Sequence, residues 1–220
     1  SQYNVRGGSF DENLVYVNDI EIYRPFLTRS GTQEGLSFIN ADLVHNIDFS
    51  AGGFEARYGD KMSSVLAVEY KEPKKFSGSV TGGLQGGAIH VEGSSENHRF
   101  THITGIRYNS NAYVLGSLDT DGDYRVNFAD VQTYLTYDIS DKWEIGFLGN
   151  YARNQYNFVP ETRETAFGTI QEALKLTIFF EGQEVTDFET YFGAVTNTYR
   201  PNSKLELKLI TSAFQSRESE

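Results

Sequence analysis

Val131-Gln132-Thr133-Tyr134-Leu135-Thr136-Tyr137-Asp138-Ile139 alternates without a break. In an extended chain Val131, Thr133, Leu135, Tyr137 and Ile139 fall on one side, while Gln132, Tyr134, Thr136 and Asp138 fall on the other. A half-buried strand of a soluble sheet shows the same period, so the setting decides. From about residue 76 to 220, strands of this kind follow one another through joints of two sorts. Ser94-Ser95-Glu96-Asn97-His98, Ser140-Asp141-Lys142 and Pro201-Asn202-Ser203-Lys204 are short. Residues 109–127 and 158–185 are long polar and aromatic stretches, well beyond the roughly 4 to 6 residues of most connections in a compact domain. One end of the strands is trimmed and the other elaborated. That is the pattern of a transmembrane β-barrel wall, apolar outward and polar toward a wet bore.

The neighbouring strands extend the pattern unequally. Trp143, Ile145, Phe147 and Tyr151 lie opposite Glu144 and Asn150, and Leu205, Leu207 and Leu209 alternate with Glu206 and Lys208. Residues 188–199 carry aromatics on both sides, which leaves their orientation open. Tyr137, Trp143 and Tyr199 flank the short joints, where an aromatic girdle would meet lipid headgroups. About seven strands are expected, a partial barrel with two open edges.

Composition supports strands over helices. Tyr and Phe number 14 and 16 against one Met and one Trp, and there are 21 glycines. No apolar run reaches the roughly 18 residues of a membrane helix, but barrel strands need only about 9 to 11 residues with one apolar face, so a mean hydropathy of -0.44 decides nothing. The net charge of -11, with no basic cluster beyond Lys74-Lys75, excludes a nucleic-acid partner, whose affinity would rest on clustered Lys and Arg. Zero cysteines exclude disulfides, thiolate metal sites and thiol catalysis. Ser1-Gln2-Tyr3-Asn4-Val5 reads as the end of a strand and Ser212-Ala213-Phe214-Gln215-Ser216 runs on without a cap, so a fragment is expected.

Residues 1–72 differ in texture and read as a compact α+β unit, with residues 73–220 as barrel strands and Glu72-Pro73-Lys74-Lys75 as the boundary. Leu14-Val15-Tyr16-Val17 and Ile20-Glu21-Ile22-Tyr23 flank Asn18-Asp19, a pair that tolerates positive φ and predicts a two-residue hairpin turn. Asn40 is placed to cap one short turn of helix through Leu43-Val44-His45, with Ile47-Asp48-Phe49 extended again and Val65-Leu66-Ala67-Val68-Glu69-Tyr70 as a closing strand.

In order along the chain, Val5-Arg6-Gly7-Gly8, Val15-Tyr16-Val17-Asn18-Asp19-Ile20, Gly52-Gly53-Phe54-Glu55-Ala56-Arg57-Tyr58-Gly59 and Ser64-Val65-Leu66-Ala67-Val68 resemble the plug domain of TonB-dependent outer-membrane receptors. The resemblance covers essentially all the chain and implies the rear of a plug followed by the first third of a barrel of about 22 strands. It further implies residence in a Gram-negative outer membrane, lipid as surroundings, an external ligand, and TonB as a partner through a segment not present here. A partner surface lipoprotein is a further possibility that the resemblance raises. Tyr151-Ala152-Arg153-Asn154-Gln155-Tyr156-Asn157-Phe158-Val159-Pro160-Glu161-Thr162-Arg163 resembles the Bacteroidetes-type nutrient-uptake branch. Asn18-Asp19 stands where the family commonly has Asp-Gly, and Asp60-Lys61 follows Gly59 where a small residue is usual. Both keep the turn chemistry. The plug signature is then Arg6, Gly7, Gly8, Gly52, Gly53, Tyr58 and Gly59, with Arg6 expected to pair with an acidic partner.

Other motifs compete with this reading. Asp119, Asp121, Asp123, Asn127 and Asp130 have the spacing of oxygen ligands in a calcium-binding hand, but Tyr124 stands where the sharp turn wants Gly, and Asp130 replaces the bidentate Glu. The loop therefore reads as a barrel connection first and a calcium site second. His98 and His102 are i, i+4, about 13 Å apart along a strand and too far to share an ion, and His45 and His90 stand alone. Gly82-Gly83-Leu84-Gln85-Gly86-Gly87 lacks the Lys-Ser/Thr of a phosphate loop and reads as a tight turn. Thr169-Ile170-Gln171-Glu172 has capping-box spacing, although residues 176–180 are equally a strand. No catalytic set and no cofactor motif emerges, so no enzyme is expected. Tyr23, Arg24 and Phe26 after the hairpin, and Tyr113, Tyr124, Asn157 and Phe158 in the long connections, are the ligand-binding candidates, since aromatic faces beside hydrogen-bonding groups suit sugars, peptides or chelates. The competing classes are a soluble calcium- or carbohydrate-binding β module, and a plugged receptor that signals without uptake.

Overall fold

Asn18 and Asp19 have φ of 50° and 66°, the left-handed pair of a tight hairpin turn between β1 (Asn13–Val17) and β2 (Ile20–Glu21). The computed structural model describes residues 3–9, 12–23, 37–59, 63–110, 122–160, 163–168, 173–178 and 184–219. After the hairpin come β3 (Val44–Ser50) and β4 (Ser64–Tyr70), which complete a four-stranded leading sheet of order β2-β1-β4-β3, with β1 parallel to β4 and the other pairs antiparallel. The expected α+β character is corrected: among the described residues there is no α-helix. Asn40 caps a single 3-10 turn, Ala41–Leu43, accepting from the Asp42 N–H at 3.1 Å. Val44 is already extended at φ -78° and ψ 133°, because alternation resumes there and pairs the chain with β4.

The second unit is the wall: β5 (Ser77–Gly83), β6 (Gly86–Ser94), β7 (Phe100–Ser110), β8 (Gly122–Ser140) and β9 (Trp143–Pro160) form a meander. After β10 (Arg163–Gly168) and β11 (Ala173–Ile178), which pair only with each other, β12 (Glu184–Asn202) and β13 (Leu205–Ser219) rejoin it. The wall holds seven antiparallel strands in the order β13-β12-β9-β8-β7-β6-β5. The 176–180 ambiguity thus resolves as strand at least to Ile178, while Thr169-Ile170-Gln171-Glu172 lies outside the described residues. All three short joints sit at one end of the wall. At the other end are the Leu84-Gln85 turn and the long connections, now bounded as residues 111–121 and 161–183.

Burial along the wall runs opposite to that of a soluble sheet. Ile89, Ile106, Val131, Tyr151 and Tyr191 are register partners across five strands and form one apolar row on the outer face. Val131 is 41% exposed while its neighbour Gln132 is 0% exposed. Phe100 beside Tyr137, and Trp143 beside Tyr199 and Leu207, form an outer belt at the short-joint end. For β12 the open orientation is settled: Tyr191, Val195 and Tyr199 face out, and Phe192, Ala194, Thr196 and Thr198 face in. The main core lies between the inner face and the leading sheet, with Val15, Val17, Ile20, Leu43 and Val68 from one side and Ile103, Tyr134, Leu148, Phe192 and Ala194 from the other. Full burial of one such aliphatic or aromatic side chain is worth about 1.5 to 3 kcal/mol, enough to hold the two units together.

Candidate functional site: where the leading sheet meets the wall

Alternation makes Arg107 and Asp130 inward-facing partners on β7 and β8. Arg107 Nε donates to Asp130 Oδ1 at 2.9 Å and Nη2 to Oδ2 at 2.5 Å. The same guanidinium crosses to the leading unit, donating from Nη1 to the Ile39 carbonyl at 2.9 Å and from Nη2 to the Ser37 carbonyl at 2.8 Å. A rigid fork with five donors suits this double duty. One row along, Gln132 is wholly buried, donates to the Phe38 carbonyl at 3.2 Å and accepts from the Tyr70 hydroxyl. Phe38 also sets its ring edge-on against Phe192, with centroids 5.3 Å apart. Residues 37–39 are therefore clamped through three successive carbonyls.

Three smaller contacts surround the clamp. Asn18 Oδ1 accepts the Tyr70 N–H at 2.8 Å, tying the hairpin tip to the end of β4. Asp19, at that tip, pairs with Lys208 of β13 and, at 3.5 Å, with Arg57. Lys71 donates to the Asp42 carbonyl at 2.7 Å and stands 3.8 Å from Glu92, itself 2.9 Å from the buried His90 without hydrogen-bond geometry. Gly105 of β7 is where the 3-10 turn touches the wall, and any side chain there would collide with the Asn40 amide. Burial raises the Tyr70 hydroxyl far above the usual phenol range, so it remains a donor at neutral pH. Tyr16 and Tyr58 are raised more modestly, again chiefly by burial. A cavity of about 1060 Å³ opens between the units at the short-joint end, lined by Tyr16, Arg57, Lys71, Glu144, Thr198 and Arg200 among others.

The ligand candidates fare unevenly. Tyr23 is 75% exposed and meets Phe214 edge-on at 6.2 Å. Asn157 lies in β9 opposite Arg125 and Val185, and Tyr124 and Phe158 are register partners in β8 and β9. Arg24, Phe26 and Tyr113 lie outside the described residues, as do Asp119 and Asp121 of the calcium spacing. Asp123, Asn127 and Asp130 belong to β8, so their backbone is extended where a loop was expected, with Asp123 and Asn127 about 13 Å apart. No carboxylate and histidine group suited to a metal occurs among the described residues. Of the glycine-rich signature, Arg6 has φ 49°, Gly7 79°, Gly52 92° and Gly53 68°. No acidic partner of Arg6 is found among the described residues, where its guanidinium lies against Gly52. Gly8 packs against Ser63 and Glu12, and Tyr58 against Tyr16 at 5.0 Å, with Gly59 in open space. Arg107, Gln132 and Lys208 were not legible as site residues, because two of them act on main-chain carbonyls, which leave no signature in a sequence.

No protein-family model matches the chain, and no curated protein matches it. Solved structures do. A double mutant of the ferric enterobactin receptor PfeA from Pseudomonas aeruginosa aligns over 98% of this chain and 34% of its own, with a TM-score of 0.61 at 13% identity. A single mutant of the same receptor gives a TM-score of 0.60 at 14% identity, covering 98% and 34%. The chain thus shares the fold of part of these structures. It spans about a third of the length of the receptors it matches.

Proposed function

We propose that this chain is part of a TonB-dependent outer-membrane receptor of a Gram-negative bacterium, in which the leading sheet is the rear of the plug and the wall the first strands of the barrel. The receptor binds an external nutrient and imports it when TonB displaces the plug. The observation that carries this reading is the inverted wall: an unbroken apolar row from Ile89 to Tyr191 faces outward while buried Gln132, Asp130, Asn150 and Asn154 face in. In water such an outer face would be an aggregation surface, whereas in hydrocarbon it is the favoured one. A metal chelate is the favoured ligand class, because the fold is that of a ferric enterobactin receptor. Glycans and peptides remain the ligands of the nutrient-uptake branch that residues 151–163 resemble. Tyr23, Tyr124, Asn157 and Phe158 are the recognition residues proposed within the described chain, with Arg24, Phe26 and Tyr113 beside them in sequence.

The intact protein should require detergent and float with lipid in a density gradient. Solubility without detergent, with nothing in the lipid fraction, ends the reading. TonB action fits the clamp, since a pull on the plug must break the Arg107 and Gln132 contacts in order. Ligand binding can favour that release only by holding the released state more tightly than the clamped one.

A further inference from the structure

The inner face of the wall is layered. Ile103, Tyr134, Leu148 and Ala194 are register partners across β7, β8, β9 and β12, all buried, and make one apolar row. Toward the short joints the next inward row is Thr101, Thr136, Gly146 and Thr196, beyond which Glu144 and Thr198 line the large cavity. Toward the long connections come Gln132, Asn150 and Phe192, then Asp130, Ala152 and Thr190, then Phe128, Asn154 and Phe188. An apolar collar separates two polar compartments.

The polar side of that collar holds the least explained groups in the molecule. Asn150 is 6% exposed and Asn154 1%, yet both amide atoms of Asn150 and Nδ2 of Asn154 have no hydrogen-bond partner among the described residues. A buried amide group left unmet costs about 1 to 3 kcal/mol, and two on one strand face call for a reason. Ala152 lies between them with the smallest side chain compatible with the strand, so both amides look onto the same strip. Phe188 and Phe192 flank that strip on β12. Among the described residues the charge beside it on the inner face, Asp130, is neutralised by Arg107. Amides above a small residue, aromatic faces alongside and no net charge suit neutral hydroxyl and amide groups that come and go.

We propose that the Asn150 to Asn154 strip of β9 is a lane in the lumen wall that binds neutral hydroxyl and amide groups of a passing solute. The Ile103, Tyr134, Leu148 and Ala194 row closes it toward the short joints, with Phe38 of the leading unit seated on Phe192. The proposal rests on the transporter reading above and adds the route and the groups it recognises.

Cysteine is absent from these 220 residues, and once any cysteine elsewhere in the receptor is replaced by serine, single thiols introduced here report their own surroundings. The complete receptor in outer-membrane vesicles, carrying Asn150→Cys, Asn154→Cys, Leu148→Cys or Val131→Cys, is treated with a small cationic methanethiosulfonate and, separately, with a lipophilic maleimide. The cationic reagent should modify positions 150 and 154 at least about tenfold faster than 148, the ratio set by a barrier difference of about 1.4 kcal/mol. Position 131, whose thiol would face hydrocarbon and stay protonated, should resist both reagents. Inert thiols at 150 and 154 beside a protected 131 overturn the lane and leave the barrel standing. Rapid cationic labelling at 131 overturns the barrel and the lane with it.

Discussion

Arg107 makes four hydrogen bonds, two to a carboxylate of the wall and two to carbonyls of the leading unit. Its side chain is 14% exposed and that of Asp130 1%, so neither charge has much recourse to water. Removing one partner of such a pair leaves the other charge buried and uncompensated, which costs about 3 to 5 kcal/mol. Asp130→Asn should therefore loosen the leading unit by about that amount, read as faster hydrogen exchange at the Asp42 and Leu43 amides with the barrel strands unchanged. Tyr70 makes a second prediction at this scale. Burial raises its hydroxyl above the ordinary value of 10.0, so the folded state keeps a proton that the unfolded chain loses. The stabilisation is whole below pH 10 and falls as pH climbs toward the folded value, by about 1.4 kcal/mol per pH unit. Unfolding of the leading sheet followed from pH 9 to 12 should show this slope. Tyr70→Phe should remove that share of it and cost the Gln132 hydrogen bond at neutral pH.

At the scale of elements, β8 states its orientation in its own residues and β12 does not. In β8 every apolar side chain from Val131 to Ile139 faces out except Tyr134, so period 2 suffices. In β12 the outward aromatics Tyr191 and Tyr199 belong to the lipid side and inward Phe192 belongs to Phe38, about 150 residues away in sequence, so the two sets look alike until the partner is known. The hairpin was legible because Asn18-Asp19 carries its turn locally, and so was the Asn40-capped turn, although it ends at Leu43 and not at His45 because a cap marks where a turn begins and not where the strand resumes. The faces of β8 can be told apart by charge. Val131→Lys puts an ammonium on the outer face and should destabilise the barrel by about 2 to 4 kcal/mol if Val131 sits near the midplane. A lysine at Tyr137, in the girdle by the short joints, should cost about 0 to 1 kcal/mol. Heat-modifiable migration of folded and unfolded barrel on a gel measures both, and equal costs would contradict the depth assigned to the two rows.

Over the whole molecule, two of the polar contacts that hold the leading sheet to the wall work by different physics. One is the buried clamp of Arg107, Asp130, Gln132 and residues 37–39; the other is the exposed pair of Asp19 with Lys208, whose side chains are 46% and 29% exposed. Neither was visible in the sequence, because the clamp joins positions 68 and 94 residues apart through main-chain oxygens and the pair joins residues 189 apart. Salt discriminates between them. The screening length falls from about 10 Å at 0.1 M to about 3 Å at 1 M, which weakens an exposed pair worth at most about 1 kcal/mol and leaves a buried one nearly untouched. Raising salt over that range should speed hydrogen exchange at Asp19, Ile20 and Glu21 several-fold, while the amides of residues 39–43 keep their protection. Lys208→Gln should reduce the salt response at the hairpin to the share left by Arg57 without altering the clamp. If both regions open together with salt, the leading sheet is released as one body, and a pulling partner would meet a single barrier instead of a weak outer contact followed by a strong inner one.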